Sequence, residues 1–409
     1  MTHDVTAAAA VDDAEAMPAS APDLSPRPDE HWPFYDEDEI DAVAAVLRSG
    51  RVNQWTGGEV FAFEKAFAER FGGGHCIALA NGSLALELPL RAFGIGPGDE
   101  VVVTPRTFVA SASCARLVGA TPVFADIDPD SGNITAETIE AVLTERTRAI
   151  IPVHLAGWPC DMPAIMDLAK ARGLKVIEDC AQSHGAEIDG RQAGSFGDAA
   201  AFSFCQDKIM TLGGEGGATI FRDGDAYDWA WSYKDHGKDR VKALTPPRAP
   251  GFRWLHDSVG TNWRLTGMQA AIGLRQIEKL EAWHGARERN AGIWAEALRG
   301  ISGIRMPLPG AGMRHAFYKF YFYVEGPDPE PTRDEILRLA SEAELRLFSG
   351  SCSEVYLEGA FADLPRPELP HARALGKSSL MVEVHPTLRP ELVRQRAAAL
   401  AGIVRQVLG

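Results

Sequence analysis

Between about residue 76 and residue 221, short apolar runs alternate with longer amphipathic ones, and this pattern limits the fold more than any other feature. The apolar runs are Cys76–Ala80, Glu100–Thr104, Pro122–Asp126, Ala149–His154 and Leu174–Asp179, with two more at Ala199–Phe204 and Ala218–Phe221. Helical spacing fills the gaps at Leu84–Ala92, near Thr107–Leu117, near Ala136–Leu143 and at Met162–Arg172. Strands this short, joined by crossovers long enough for a helix, predict an α/β fold with a doubly wound, mostly parallel sheet and helices on both faces. In such sheets ligands sit outside the carboxyl ends of the strands. Three polar breaks fall at those ends: Asn81-Gly82-Ser83, Asp179, and Ser203 to Lys208.

Two amphipathic helices, Glu39–Leu47 and Gly58–Phe71, precede the alternation. Residues 1–31 are rich in Ala, Pro, Asp and Ser, too poor in large apolar side chains to offset their ordering entropy, and predict a disordered tail. A long helix over about Thr266–Ala297 leads out of the sheet domain, and the boundary is drawn at 285/286. The remaining residues, 286–409, predict a smaller α/β domain, with strands near His315–Val324 and helices near Thr332–Glu342 and Glu391–Val407.

The formal charge of −15, from 41 basic and 56 acidic residues, excludes a general nucleic-acid surface. It leaves room for one anionic small molecule held by a local cluster of donors. No apolar stretch approaches the roughly 18 residues of a membrane helix, and no signal peptide is expected. The six cysteines form no CxxC pair, which predicts reduced thiols in a cytoplasmic protein. Neither they nor the eleven histidines have zinc-type spacing, so no metal site is expected.

Each polar break has an ordinary explanation alone. Asn81-Gly82-Ser83 can be a helix cap or a phosphate site built from free N–H groups. Asp179 can cap the next segment, or can pair with a protonated pyridine nitrogen and keep that ring an electron sink. Lys208, followed by Gly213-Gly214-Glu215-Gly216-Gly217, can be solvated or can be a desolvated amine nucleophile. Their conjunction, in this order in one doubly wound domain, points to pyridoxal 5'-phosphate (PLP).

With these residues in place, the chain from about Trp32 onward resembles the fold-type I PLP enzymes. Within them it is similar to the DegT/DnrJ/EryC1/StrS sugar aminotransferases. The segments that carry the likeness are Trp55-Thr56-Gly57-Gly58, Asn81-Gly82-Ser83, Thr104 to Ser111, Pro152 to Gly157, Glu178 to Ala186, Ser203 to Lys208, and Gly260 to Leu265. The resemblance implies covalent attachment of the cofactor to Lys208, which also shuttles protons. It pairs Asp179 with the pyridine nitrogen and Gln182 with the ring oxygen, stacks Phe108 on the ring, and places Gly82, Ser83 and Ser203 on the phosphate. It further implies a homodimer with shared active sites, in which Asn262 reaches the partner's phosphate. Thr56, His184, His236, Lys238, Arg253 and His315 are candidate substrate contacts, and His154 is either a site residue or a core one. Cys205 is expected to pack as a small apolar residue.

The implied reaction moves an amino group from L-glutamate or L-glutamine to a keto sugar, most often nucleotide-linked. A branch of the family with histidine in the lysine position dehydrates sugars; Lys208 favours amino transfer here. A PLP-dependent dehydratase or lyase, and a catalytically silent relative, remain as alternatives.

Overall fold

The computed structural model describes residues 31–246 and 251–409. The expected tail therefore lies, apart from His31, outside the described residues. Seven strands form the large sheet: β1 (His75–Leu79), β2 (Glu100–Val103), β3 (Thr121–Phe124), β4 (Thr147–Ile151), β5 (Lys175–Asp179), β6 (Ala199–Ser203) and β7 (Gly217–Phe221). Their spatial order is β1-β7-β6-β5-β4-β2-β3. All neighbours are parallel except β7, which runs antiparallel to both β1 and β6. The carboxyl ends of β1, β5 and β6 consequently share one edge of the sheet, and the three polar breaks meet there.

Strand alternation divides the core in two. Ile77 and Leu79 face one apolar cluster with Ala199 and Ala201, while Cys76 and Ala78 face another with Ala200 and Phe202. Strands covered on both faces carry few polar side chains, which explains why they read as continuous apolar runs. The flanking helices are α1 (Glu37–Ser49), α2 (Glu59–Arg70), α3 (Gly82–Ala92), α4 (Ala110–Leu117), α5 (Met162–Arg172), α6 (Gly224–Tyr233) and the long α7 (Gly267–Leu298).

Beyond α7, strands β8 (Ile304–Arg305), β9 (Phe320–Val324), β10 (Leu347–Phe348) and β11 (Ser379–Val382) make an antiparallel sheet in the order β8-β9-β11-β10. Helices α8 (Pro329–Glu342) and α9 (Pro390–Leu408) pack with it around Phe322, Ile336, Leu380 and Val404. The boundary drawn at 285/286 falls inside α7. That helix contributes Ala270 and Leu280 to a core of the large sheet, and Ala291, Trp294 and Leu298 to the C-terminal core. Among the described residues no helix is long and apolar enough to cross a membrane.

Candidate active site

The first element of the site is the turn from β1 into α3. Asn81, in extended conformation, caps the helix by accepting the Leu84 N–H at 3.1 Å. The N–H groups of the first helical turn then point out of the N-terminus, where an anion is favoured. A side chain at position 82 would put its Cβ 2.6 Å from Ser203 Cβ, and one at position 217 would run into the Asn81 carbonyl. Glycine at these two positions is what lets three segments close into one cradle. Ser83 is exposed, whereas Ser203 is 8% exposed.

Asp179 ends β5, 3% exposed. Ser111 Oγ donates to its Oδ2 at 2.7 Å and the Ala181 N–H to its Oδ1 at 3.1 Å. Burial raises its pKa, and those two donors with the positive charge of Lys208 offset only part of the effect. Among the described residues no cation forms an ion pair with this carboxylate. A buried carboxylate in that condition calls for a cationic partner. In the sequence Ser111 appears only as the end of the Thr104 to Ser111 segment; its hydroxyl also lies 2.8 Å from that of Thr107.

Lys208 lies past the end of β6 with its side chain 15% exposed. Its amine is 3.5 Å from Asp207 Oδ1 and 5.0 Å from the centre of the Tyr318 ring. Trp32 Nε1 donates to the Lys208 carbonyl at 2.8 Å. Gln182, 7% exposed, accepts the Ala156 N–H on its Oε1 at 2.7 Å. Phe108 is 68% exposed, an open ring beside a cavity of about 430 Å³ that Thr107, Ser351, Cys352 and Glu358 also line. The strand-end loop is stitched to the C-terminal region: Thr107 N donates to the Cys352 carbonyl at 3.1 Å, Val355 N to the Pro105 carbonyl at 2.9 Å, and Arg106 to Ser353.

A flat, cationic, phosphate-bearing ring fits this donor set. The helix terminus and the glycine cradle suit a phosphate, and the unpaired Asp179 suits a protonated ring nitrogen. Lys208 supplies the amine and Phe108 an open aromatic face.

The remaining candidates separate from this group. His184 is sealed among Phe71, Phe202 and Phe204, its ring nitrogens have no hydrogen-bond partner, and burial lowers its pKa to about 3. Its ring lies in the core, within reach of the Lys208 charge. His154 is equally buried: Nδ1 accepts the Cys160 N–H and Nε2 faces Glu178 at 3.2 Å, so it too belongs to the core. His315 stacks on Phe317 with centroids 4.2 Å apart and lines a narrow cavity with Trp158. Lys238 is bound to buried Asp235 at 2.9 Å and lies 4.4 Å from the Trp55 ring. Arg253 donates to the Thr245 and Lys242 carbonyls. Thr56, His236 and Asn262 are exposed in the same surface region, where Trp55 and Asn262 both meet Asp235.

Cys205 is half-buried with Sγ 3.9 Å from Glu215, less enclosed than an apolar packing residue. One grouping that spacing in the sequence does not reveal is His154, Glu178 and Cys180, close enough to share an ion. The Glu178 oxygens there already accept the N–H groups of Gly194, Phe196 and Gly197.

Residues 33–401 match the model of the DegT/DnrJ/EryC1/StrS aminotransferase family. The chain belongs to this family. It is a PLP-dependent aminotransferase. It is 38% identical over 353 residues, 85% of this chain and 88% of the other, to the UDP-N-acetyl-3-dehydro-alpha-D-glucosamine 3-aminotransferase of Acidithiobacillus ferrooxidans. The crystal structure of an aminotransferase from Psychrobacter cryohalolentis superposes with a TM-score of 0.90 at 46% identity, covering 93% of this chain and 100% of that one. A Streptococcus pneumoniae protein solved in a PMP form superposes with a TM-score of 0.84 at 25% identity, covering 92% and 98%. Family membership confirms the expected fold class and cofactor.

Proposed function

We propose that this aminotransferase takes an amino group from L-glutamate or L-glutamine and delivers it to a nucleotide-linked keto sugar in amino-sugar biosynthesis. The observation that carries the reading is the meeting of Asp179, the Asn81–Ser83 cradle and Lys208 at one sheet edge, in a chain similar to a UDP-sugar aminotransferase. Bound PLP would supply an electron sink when a proton leaves or rejoins the carbon that carries the nitrogen. Gly82, Ser83 and Ser203 would hold its phosphate, Asp179 its ring nitrogen, Gln182 its ring oxygen and Phe108 its face. Lys208 would carry the cofactor between turnovers and move a proton at Nζ in both half-reactions, so kinetics should be ping-pong. The acceptor sugar has room in the cavity beside Phe108, where Thr107, Ser351 and Glu358 offer hydroxyl and carboxylate partners.

The functional unit is a homodimer of cytoplasmic chains, each with a large sheet domain and a smaller C-terminal domain joined through α7. The exposure of Asn262, together with exposed Phe252, Trp254 and Val259 in the preceding loop, supports a partner covering this face and sharing its sites. The test is sequential. Enzyme converted by glutamate or glutamine and then freed of donor should aminate a UDP-, dTDP- or GDP-linked keto sugar in one stoichiometric turnover. Release of amine to no member of such a panel would remove the sugar from the reading.

A further inference from the structure

Lys208 has a carboxylate beside it that the reading above leaves without a role. Asp207 Oδ1 lies 3.5 Å from Nζ, while Oδ2 accepts a hydrogen bond from the Tyr318 hydroxyl. Tyr318 is 8% exposed and comes from the segment leading into β9, so the contact joins the lysine loop to the C-terminal region. Asp207 is half exposed on its side chain, and a carboxylate so exposed would ordinarily divide its time between the amine and water. The Tyr318 hydroxyl removes that freedom. Its ring completes the arrangement at 5.0 Å from Nζ, with the charge over an aromatic face.

We propose that Asp207 is a second catalytic residue, holding positive charge at the Lys208 nitrogen, and that Tyr318 positions its carboxylate for that task. The proposal rests on Lys208 carrying the cofactor. Other groups that act on the lysine come from different elements. Asp179 at the end of β5 attracts its charge, and buried His184 feels it from the loop after β5. Lys319, paired with Glu383 at 3.4 Å, also acts on the Asp207 carboxylate, and Arg287 on α7 donates to the Tyr318 carbonyl at 3.3 Å. Of the two carboxylates that attract Lys208, Asp207 is the one in direct ion-pair contact with Nζ.

A nearby negative charge favours the protonated nitrogen, so removing it lets the proton leave at lower pH. The test is a pH titration of the lysine-dependent absorbance band in cofactor-loaded enzyme, comparing wild type with Asp207→Asn, Asp207→Glu and Tyr318→Phe. The midpoint should fall by roughly half to one unit in Asp207→Asn, return toward wild type in Asp207→Glu, and fall by a smaller step in Tyr318→Phe. An Asp207→Asn midpoint equal to that of wild type, with only thermal stability reduced, would overturn the proposal. Should Asp207→Asn fail to fold, Tyr318→Phe decides, and an unmoved midpoint there overturns it equally. Absence of any lysine-dependent band in wild type is a different failure, because it takes down the role of Lys208 along with that of Asp207.

Discussion

Glu178 and Asp179 are consecutive on β5, both buried, and the fold treats them in opposite ways. The Glu178 carboxylate accepts three backbone N–H groups, at 2.7 to 2.8 Å, and faces His154. Burial by itself would raise its pKa; His154 and the Gly197 and Gly194 N–H groups outweigh this and hold it below the usual range. Asp179, on the other face and at the sheet edge, has one hydroxyl and one N–H, and burial keeps its pKa raised. A carboxylate whose acceptors are filled is part of the structure. A neighbouring one left short of partners suits a cationic ligand.

The largest effect expected from this contrast is on stability, at Glu178. Glu178→Gln sets an NH₂ group against backbone donors and should cost about 3 kcal/mol or more, read as an earlier urea midpoint. Asp179→Asn should leave that midpoint unchanged or later in cofactor-free protein, while lowering turnover by about 10²-fold or more. Equal destabilisation by both substitutions would end the distinction.

A smaller effect should come from the cradle. Gly217→Ala drives a methyl group toward the Asn81 carbonyl and should weaken PLP binding by about tenfold or more, measured by equilibrium titration. The pH dependence sharpens the comparison further. A carboxylate with a lowered folded pKa stabilises above its unfolded pKa and loses this as pH falls through the folded value, so the Glu178→Gln deficit should shrink in acid. A raised folded pKa has the opposite sign. Ionised Asp179 costs stability at neutral pH, so any advantage of cofactor-free Asp179→Asn should fade as pH drops through that raised value.

Much of the large domain was legible because strands buried on both faces and helices of full length leave strong periodicity. The Met162–Arg172 helix matches its sequence reading to the residue. Less was visible in the C-terminal sheet, where Leu347–Phe348 and Ser379–Val382 are too short to alternate. The α6 segment Gly224–Tyr233 went unread because its aromatic residues are weak helix formers, although Asp223 caps it. In the site, glycine, aspartate and lysine at strand ends were readable since topology alone brings them to one edge. His184 was not, because nothing in Gln182-Ser183-His184 tells which side chain turns inward among phenylalanines. Tyr318 is 110 residues beyond Lys208, and no local pattern announces such a contact.

The central claim is that Lys208 and Asp179 build a PLP site competent for amino transfer. The most direct measurement is the absorbance spectrum of purified protein with PLP, before and after L-glutamate, for wild type and Lys208→Ala. A band should be present in wild type and absent from Lys208→Ala, and glutamate should convert it to the spectrum of the pyridoxamine form. Identical spectra for the two proteins, unmoved by glutamate, would contradict it.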